Sequence, residues 1–181
     1  DNYRYTVGQK ENIFRRKQQF VKMFGKGREE ELRDLLQGEF AVVDLAYNEA
    51  TRERDGLIVA SLKSGSLCKV VMKEYARFDN QSLENYLKEY NLDREKTFRY
   101  YLFPADDLAA VYWGYIFEGI KCRCVLVEDN YLIFASSESA VKSFVRDYVH
   151  GSVIRDAEWY RHLKTRLAGK YNMAYFARTA E

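Results

Sequence analysis

The chain has 181 residues, with 29 Lys and Arg against 27 Asp and Glu, so its formal net charge is +2; 47% of it is apolar and 31% charged. This is a globular composition, which excludes a disordered chain, and the balance of charge removes the basic surplus that a nucleic-acid surface needs. The longest apolar run, Leu108–Phe117, contains Gly114 and is ten residues long, short of the roughly 18 that a membrane span requires.

Helical spacing begins at about Glu11, where Ile13, Phe20, Val21 and Phe24 share a face, and Gly25 and Gly27 close it. A second helix starts near Glu29. Glu29, Glu30 and Glu31 lie in its first turn, where the helix dipole favours anions; Leu32, Leu35 and Leu36 form its apolar stripe, and Gly38 stands at its C-terminal cap position. Phe40–Tyr47 is rich in Val and aromatics and reads as a strand. Asn48–Gly56 is a polar loop, and Leu57–Leu62 is the returning strand of a hairpin. A helix follows from about Ser66, and another is expected over Ser82–Tyr90 from Leu83, Tyr86, Leu87 and Tyr90.

Thr97–Phe103 reads as a strand closed by Pro104. Asp106–Phe117 reads as a short buried helix or a strand; the helix is preferred because Asp106 or Asp107 can cap it and Leu108, Val111 and Tyr112 have the spacing. Ile120–Val127 and Tyr131–Ala135 form a second hairpin around the two-residue turn Asp129-Asn130. Ser136 or Ser137 then caps a helix carrying Val141, Phe144, Val145 and Tyr148, with Gly151 past its end. A last helix is expected from about Asp156 to Gly169, and Tyr171–Ala177 reads as a strand.

The two hairpins echo each other. Leu57-Ile58-Val59-Ala60-Ser61 aligns with Leu132-Ile133-Phe134-Ala135-Ser136 at an offset of 75 residues, and both segments run into an amphipathic helix. Hairpins imply antiparallel pairing, and a helix after each covers one face. The expected fold is therefore α+β: an antiparallel sheet from two β-β-α units plus additional strands, with helices covering one face. The chain is read as a single domain, with residues 1–37 as a helical N-terminal segment and residues 38–181 as the β-β-α region.

The chemical inventory is thin. Cys68, Cys122 and Cys124 are an odd set with no disulfide spacing and read as small apolar residues. His150 and His162 fit no zinc spacing. No G-x-S-x-G elbow or phosphate loop is present. Asp106-Asp107 and Glu128-Asp129 serve better as cap and turn than as an acid–base pair. No metal and no cofactor is expected. Two features remain as candidate surfaces. Phe14, Arg15 and Arg16 on the first helix suit a partner helix or a membrane surface. Tyr112, Trp113 and Tyr115 read first as buried core, and otherwise as the lining of a ligand groove or a protein interface.

From Gly38 onward the chain resembles the bacterial family catalogued as domain of unknown function 3352. The likeness is carried by GEFAVVDLAYN with DGLIVASLKSG, by VEDNYLIFASSESAVKSFVRDYV, and by AEWYRHLKTRLAGKYNMAYFAR. The resemblance implies an envelope-associated protein, periplasmic or membrane-anchored, whose longer members carry an N-terminal anchor and further domains. It supplies no catalytic residues. The chain starts at Asp1 and is expected to be part of a longer protein, with any membrane association residing in parts outside it. The functional expectation is a non-catalytic module binding another protein or neighbouring domains. The alternatives are a small-ligand or glycan-binding protein using the aromatic groove, and a hydrolase employing His150 or His162.

Overall fold

The computed structural model describes residues 7–75, 86–103, 108–113, 117, 119–151, 158, 161 and 165. Helix α1 spans Val7–Phe24. Gly25 (φ 91°) and Gly27 (φ 93°) then take the left-handed backbone that residues with a Cβ resist, and turn the chain into α2, Arg28–Leu35. Gly38 is not the cap of α2. The cap is Leu36, in extended conformation, and strand β1 (Leu36–Asn48) begins there. Gly38, at φ 87°, sits in an irregularity where β1 advances from Leu36 to Phe40 while its neighbour moves only from Leu62 to Ala60.

The other elements are β2 (Glu53–Leu62), α3 (Gly65–Tyr75), β3 (Leu87–Asn91), β4 (Thr97–Leu102), α4 (Leu108–Trp113), β5 (Cys124–Glu128), β6 (Tyr131–Ala135) and α5 (Glu138–Val149). The strands form one sheet in the order β1-β2-β6-β5-β4-β3, antiparallel at every pair. The fold is α+β. The second hairpin is as expected: Glu128 pairs with Tyr131 across Asp129-Asn130, and Asp129 takes a φ of 46°.

The expected helix over Ser82–Tyr90 is corrected where it is described. Leu87–Asn91 is strand, paired with β4 from Leu87↔Tyr101 to Asn91↔Thr97. Helical spacing of Tyr86, Leu87 and Tyr90 loses to a ladder closed by Asp93, whose carboxylate accepts the Glu95 and Lys96 amides at 2.8 Å. Strand β5 begins at Cys124 rather than Ile120; Ile120 and Cys122 are buried outside the ladder. The proposed caps Asp106 and Asp107, the helix from Asp156 and the strand Tyr171–Ala177 lie outside the described residues.

Alternation along the strands sorts the side chains onto two faces. On the first, Ile58, Ala60, Leu62, Val125, Val127, Leu132 and Phe134 cluster with Leu32 of α2, Cys68 and Met72 of α3 and Ala109 of α4. On the second, Tyr100 donates its hydroxyl to Glu138 of α5, and the Lys142 ammonium stands over the Tyr90 ring. Helices thus lie on both faces, with α5 on the side that the expected one-sided cover left open. The echoed strands β2 and β6 are neighbours, Leu57↔Ala135 to Ser61↔Tyr131. Residues equivalent in the echo face opposite sides: Ile58 belongs to the first face, while Ile133 alternates with Leu132 and Phe134 and belongs to the second. The three cysteines are buried and unbridged. Burial pushes the Cys68 and Cys124 thiols up to about 12, which keeps them protonated and inert.

The chain divides into two compact units, Asp1–Val145 and Arg146–Glu181. The first contains the six described strands. In the second, the turn that follows α5 ends at Gly151, φ 65°. There the His150 amide and ring Nδ1 both meet the Arg146 carbonyl, at 3.0 and 2.7 Å. A carbonyl only accepts, so the ring proton sits on Nδ1.

The helix that follows the first hairpin starts in a tight place. The Gly65 amide donates to the Asn130 side chain at 3.1 Å, and a Cβ at Gly65 would stand 1.7 Å from the Asp129 carbonyl oxygen. Gly65→Ala is expected to force the two hairpins apart and cost about 1–3 kcal/mol. Urea unfolding of the variant measures this; an unchanged midpoint contradicts the contact.

Candidate interaction surface

The local chemistry of the first hairpin converges on one buried carboxylate. Asp55, 8% exposed, lies on β2 beside the start of α5. It accepts the hydroxyls of Ser137 (2.6 Å), Ser136 (2.8 Å) and Ser139 (3.0 Å) and the Asn48 amide (2.8 Å). Ser137 also caps α5 by accepting the Ala140 amide at 3.1 Å, and Ser136 accepts the Gly56 amide at 2.9 Å. Burial alone pushes the Asp55 carboxyl up. The four donors outweigh it and hold the group below the ordinary carboxylate range. Every donor here is already used within the protein, so the cluster is a brace.

What the brace holds is the end of β1, through Asn48. Strand β1 is thirteen residues long and forms one edge of the sheet. Phe40, Val42, Val43 and Tyr47 are 37%, 48%, 38% and 54% exposed. Phe40 and Val42 pair with Ala60 and Ile58 and so share the first face; Val43 pairs with Leu57 on the second. Apolar side chains therefore stand uncovered on both sides of an edge whose outer main-chain groups have no partner among the described residues. The regular ladder runs from Phe40 to Asp44, between irregularities at Leu36–Phe40 and Asp44–Tyr47.

The edge is backed by an aromatic cluster. The Phe40 ring lies 5.2 Å from Trp113 and 5.3 Å from Phe117, and Trp113 meets Phe134 edge-on at 5.0 Å. Trp113 is half-buried and packs on the main core. Of the other aromatics singled out in the sequence, Tyr112 lies in α4 and Tyr115 lies outside the described residues. Phe14 is 64% exposed on α1, Arg15 is exposed and Arg16 is half-buried. Helix α1 contacts α4, which carries Trp113, and the rings that meet Trp113 are Phe40, Phe117 and Phe134. Leu67 and Val70 form a smaller exposed pair on α3, without an accompanying row of main-chain groups. Spacing alone did not mark β1 as an edge. The signal available was its unbroken apolar run, FAVV, whose only charged neighbours are Glu39 and Asp44.

Among the described residues no group of His, Cys, Asp and Glu converges on a metal position, and His150 is engaged with the Arg146 carbonyl. Compared with protein-family models, curated proteins and solved structures, the chain matches none.

Two outcomes test this anatomy. The depressed Asp55 carboxyl adds stability that is fully present above the unfolded-state value of about 3.9 and is lost as pH falls through its lower folded value. The stability gap between wild type and Asp55→Asn should therefore be wide at pH 7 and close below about pH 4; a gap independent of pH contradicts the assignment. Trp113→Ala should cost about 2–4 kcal/mol, as expected for a ring that is part of the core, read as a loss in thermal midpoint. A variant of wild-type stability would return Trp113 to the list of ligand-facing residues.

Proposed function

We propose that this protein is a non-catalytic interaction module that takes an extended segment of a partner protein as an added strand on β1. The observation that carries the reading is the contrast between the two sheet edges. Strand β3 is five residues long, and its Glu89 is paired with Arg99 at 2.8 Å. A short, charged edge is protected against further pairing. Strand β1 is long and carries only Glu39 and Asp44 as charges; it is apolar on both faces from Phe40 to Val43 and backed by the Phe40–Trp113–Phe117–Phe134 cluster. In strand addition the main chain supplies affinity and alternate side chains supply selectivity, and β1 offers both.

The resemblance to the envelope-associated family agrees with a binding role, and by that likeness alone we propose an envelope setting. The glycan-binding alternative needs Trp113 as an open platform, whereas its ring is spent on Phe40, Phe117 and Phe134. We expect a short partner segment to bind weakly, with a Kd of roughly 10–100 μM, because a single added strand buries less than a standard interface.

A blocked nonapeptide of alternating Val and Thr, titrated into isotopically labelled protein, should move amide resonances of Phe40–Asp44 and leave Leu87–Asn91 in place. Val42→Lys, at an exposed position, should abolish the shifts while preserving the fold. Shifts confined to β3 or to α3, with β1 silent, would overturn the reading.

A further inference from the structure

We propose that helix α1 lies on a lipid surface rich in anionic headgroups, with Phe14 and Val21 entering the acyl boundary and basic side chains on either side of them meeting phosphates. The charge of the chain is unevenly spread. Helix α1 carries Lys10, Arg15, Arg16, Lys17 and Lys22 against Glu11 alone, a net +4, whereas the whole chain is +2. The rest of the protein is therefore slightly acidic, and the small overall charge conceals one basic helix. This surface is independent of the strand acceptor on β1, and it belongs to the chain itself rather than to the anchor that the resemblance places outside it.

The order of residues within the helix points to a flat anionic surface. Helical residues seven apart return to nearly the same line after two turns, about 10.5 Å further on. Three such pairs run side by side: Lys10 with Lys17, Phe14 with Val21, and Arg15 with Lys22. An apolar row thus runs between two basic rows. Phe14 is 64% exposed, more than any other large apolar residue described, and Val21 is 36% exposed. Lys10, Arg15 and Lys22 are exposed, and Lys17 is half-buried. A lone exposed Phe is ordinary; a Phe in line with a Val, between rows of Lys and Arg, is the pattern of a helix that lies in a membrane interface. Such a helix sinks its apolar row about 5–10 Å into the boundary, while its long basic side chains reach sideways to the phosphates. A single convex helix of this kind needs no groove in its partner. Its six charged residues rule out a span, and α1 is held to the rest of its unit through α4.

Flotation of the full chain with vesicles tests this. Phosphatidylcholine vesicles containing about 30% phosphatidylglycerol should carry the protein at low salt, and pure phosphatidylcholine should not. Binding should fall at about 0.5 M salt, where headgroup attraction is screened. Phe14→Ser should bind about 5-fold more weakly, and Arg15→Gln/Lys22→Gln about 20-fold more weakly, each with a wild-type urea midpoint because these side chains are exposed. The control Arg94→Gln/Lys96→Gln removes two exposed charges from the β3–β4 turn and should bind as the wild type does. Equal binding to both kinds of vesicle, or binding to neither, would overturn the inference. So would wild-type affinity in both α1 variants, or an equal loss in the control. Capture of poly-glutamate through α1, with the anionic vesicles ignored, would assign the face to an acidic protein and overturn it as well.

Discussion

One buried carboxylate organises the end of this sheet. Asp55 sits where four pieces of chain meet: the end of β1 through Asn48, β2 itself, the end of β6 through Ser136, and the first turn of α5 through Ser137 and Ser139. Removing an ionised group from water is costly unless its lone pairs are filled. Here three hydroxyls and an amide fill them, and two of the serines also receive backbone N–H groups that would otherwise go unmet. The cluster converts a desolvation penalty into a geometric requirement: β1, β6 and α5 must arrive together. A matching but lighter contact works at the other hairpin, where Asn130 accepts the first amide of α3. Each hairpin thus reaches the start of the helix that follows the other, Asn130 by capping α3 and Asp55 through the hydroxyls of Ser137 and Ser139 on α5's first turn.

That cross-bracing explains how an edge strand is kept in register with little to cover it. Most of β1 is exposed on both faces, and an edge of this kind is prone to slippage. Asn48 pins its far end to Asp55, and Phe40 inserts near its start against Trp113 and Phe117. The two irregularities isolate the straight stretch Phe40–Asp44 between these anchors. A rigid, pre-formed strand reduces the ordering cost that an incoming segment must overcome. Stability at the two ends of β1 and availability along its middle are two consequences of one arrangement.

Much of the architecture is legible in the residues, and where it is not the reason is physical. Asp129-Asn130 announces its hairpin because few side chains accept the backbone that a tight turn needs, and Ser137 announces the start of α5 by its capping hydroxyl. Gly38 signals a left-handed backbone, but glycine serves a cap and a strand irregularity equally well, and only the partner strand decides between them. The segment at Tyr86–Tyr90 carries helical spacing and becomes a strand because β4 offers it a ladder. The side of the sheet on which a helix lands is likewise a tertiary outcome. The echoed strands Leu57–Ser61 and Leu132–Ser136 share their chemistry, yet their antiparallel register turns equivalent residues to opposite faces.

The candidate site was the least legible part, because it depends on where β1 falls in the order of the described strands. Phe40, Val42 and Val43 read in sequence as part of a strand rich in Val and aromatics, and in a central strand such residues are core. The strand order places them at the border, where apolar character changes meaning from cohesion to exposure. Asp55 was hidden for the opposite reason: an aspartate in a polar loop reads as solvated, and its burial follows only when three serines some eighty residues away fold over it. Acidic residues at an edge are commonly a defence against self-pairing. At β1 Glu39 and Asp44 stand at the two ends of the apolar run Phe40–Val43, where they oppose pairing with another acidic edge.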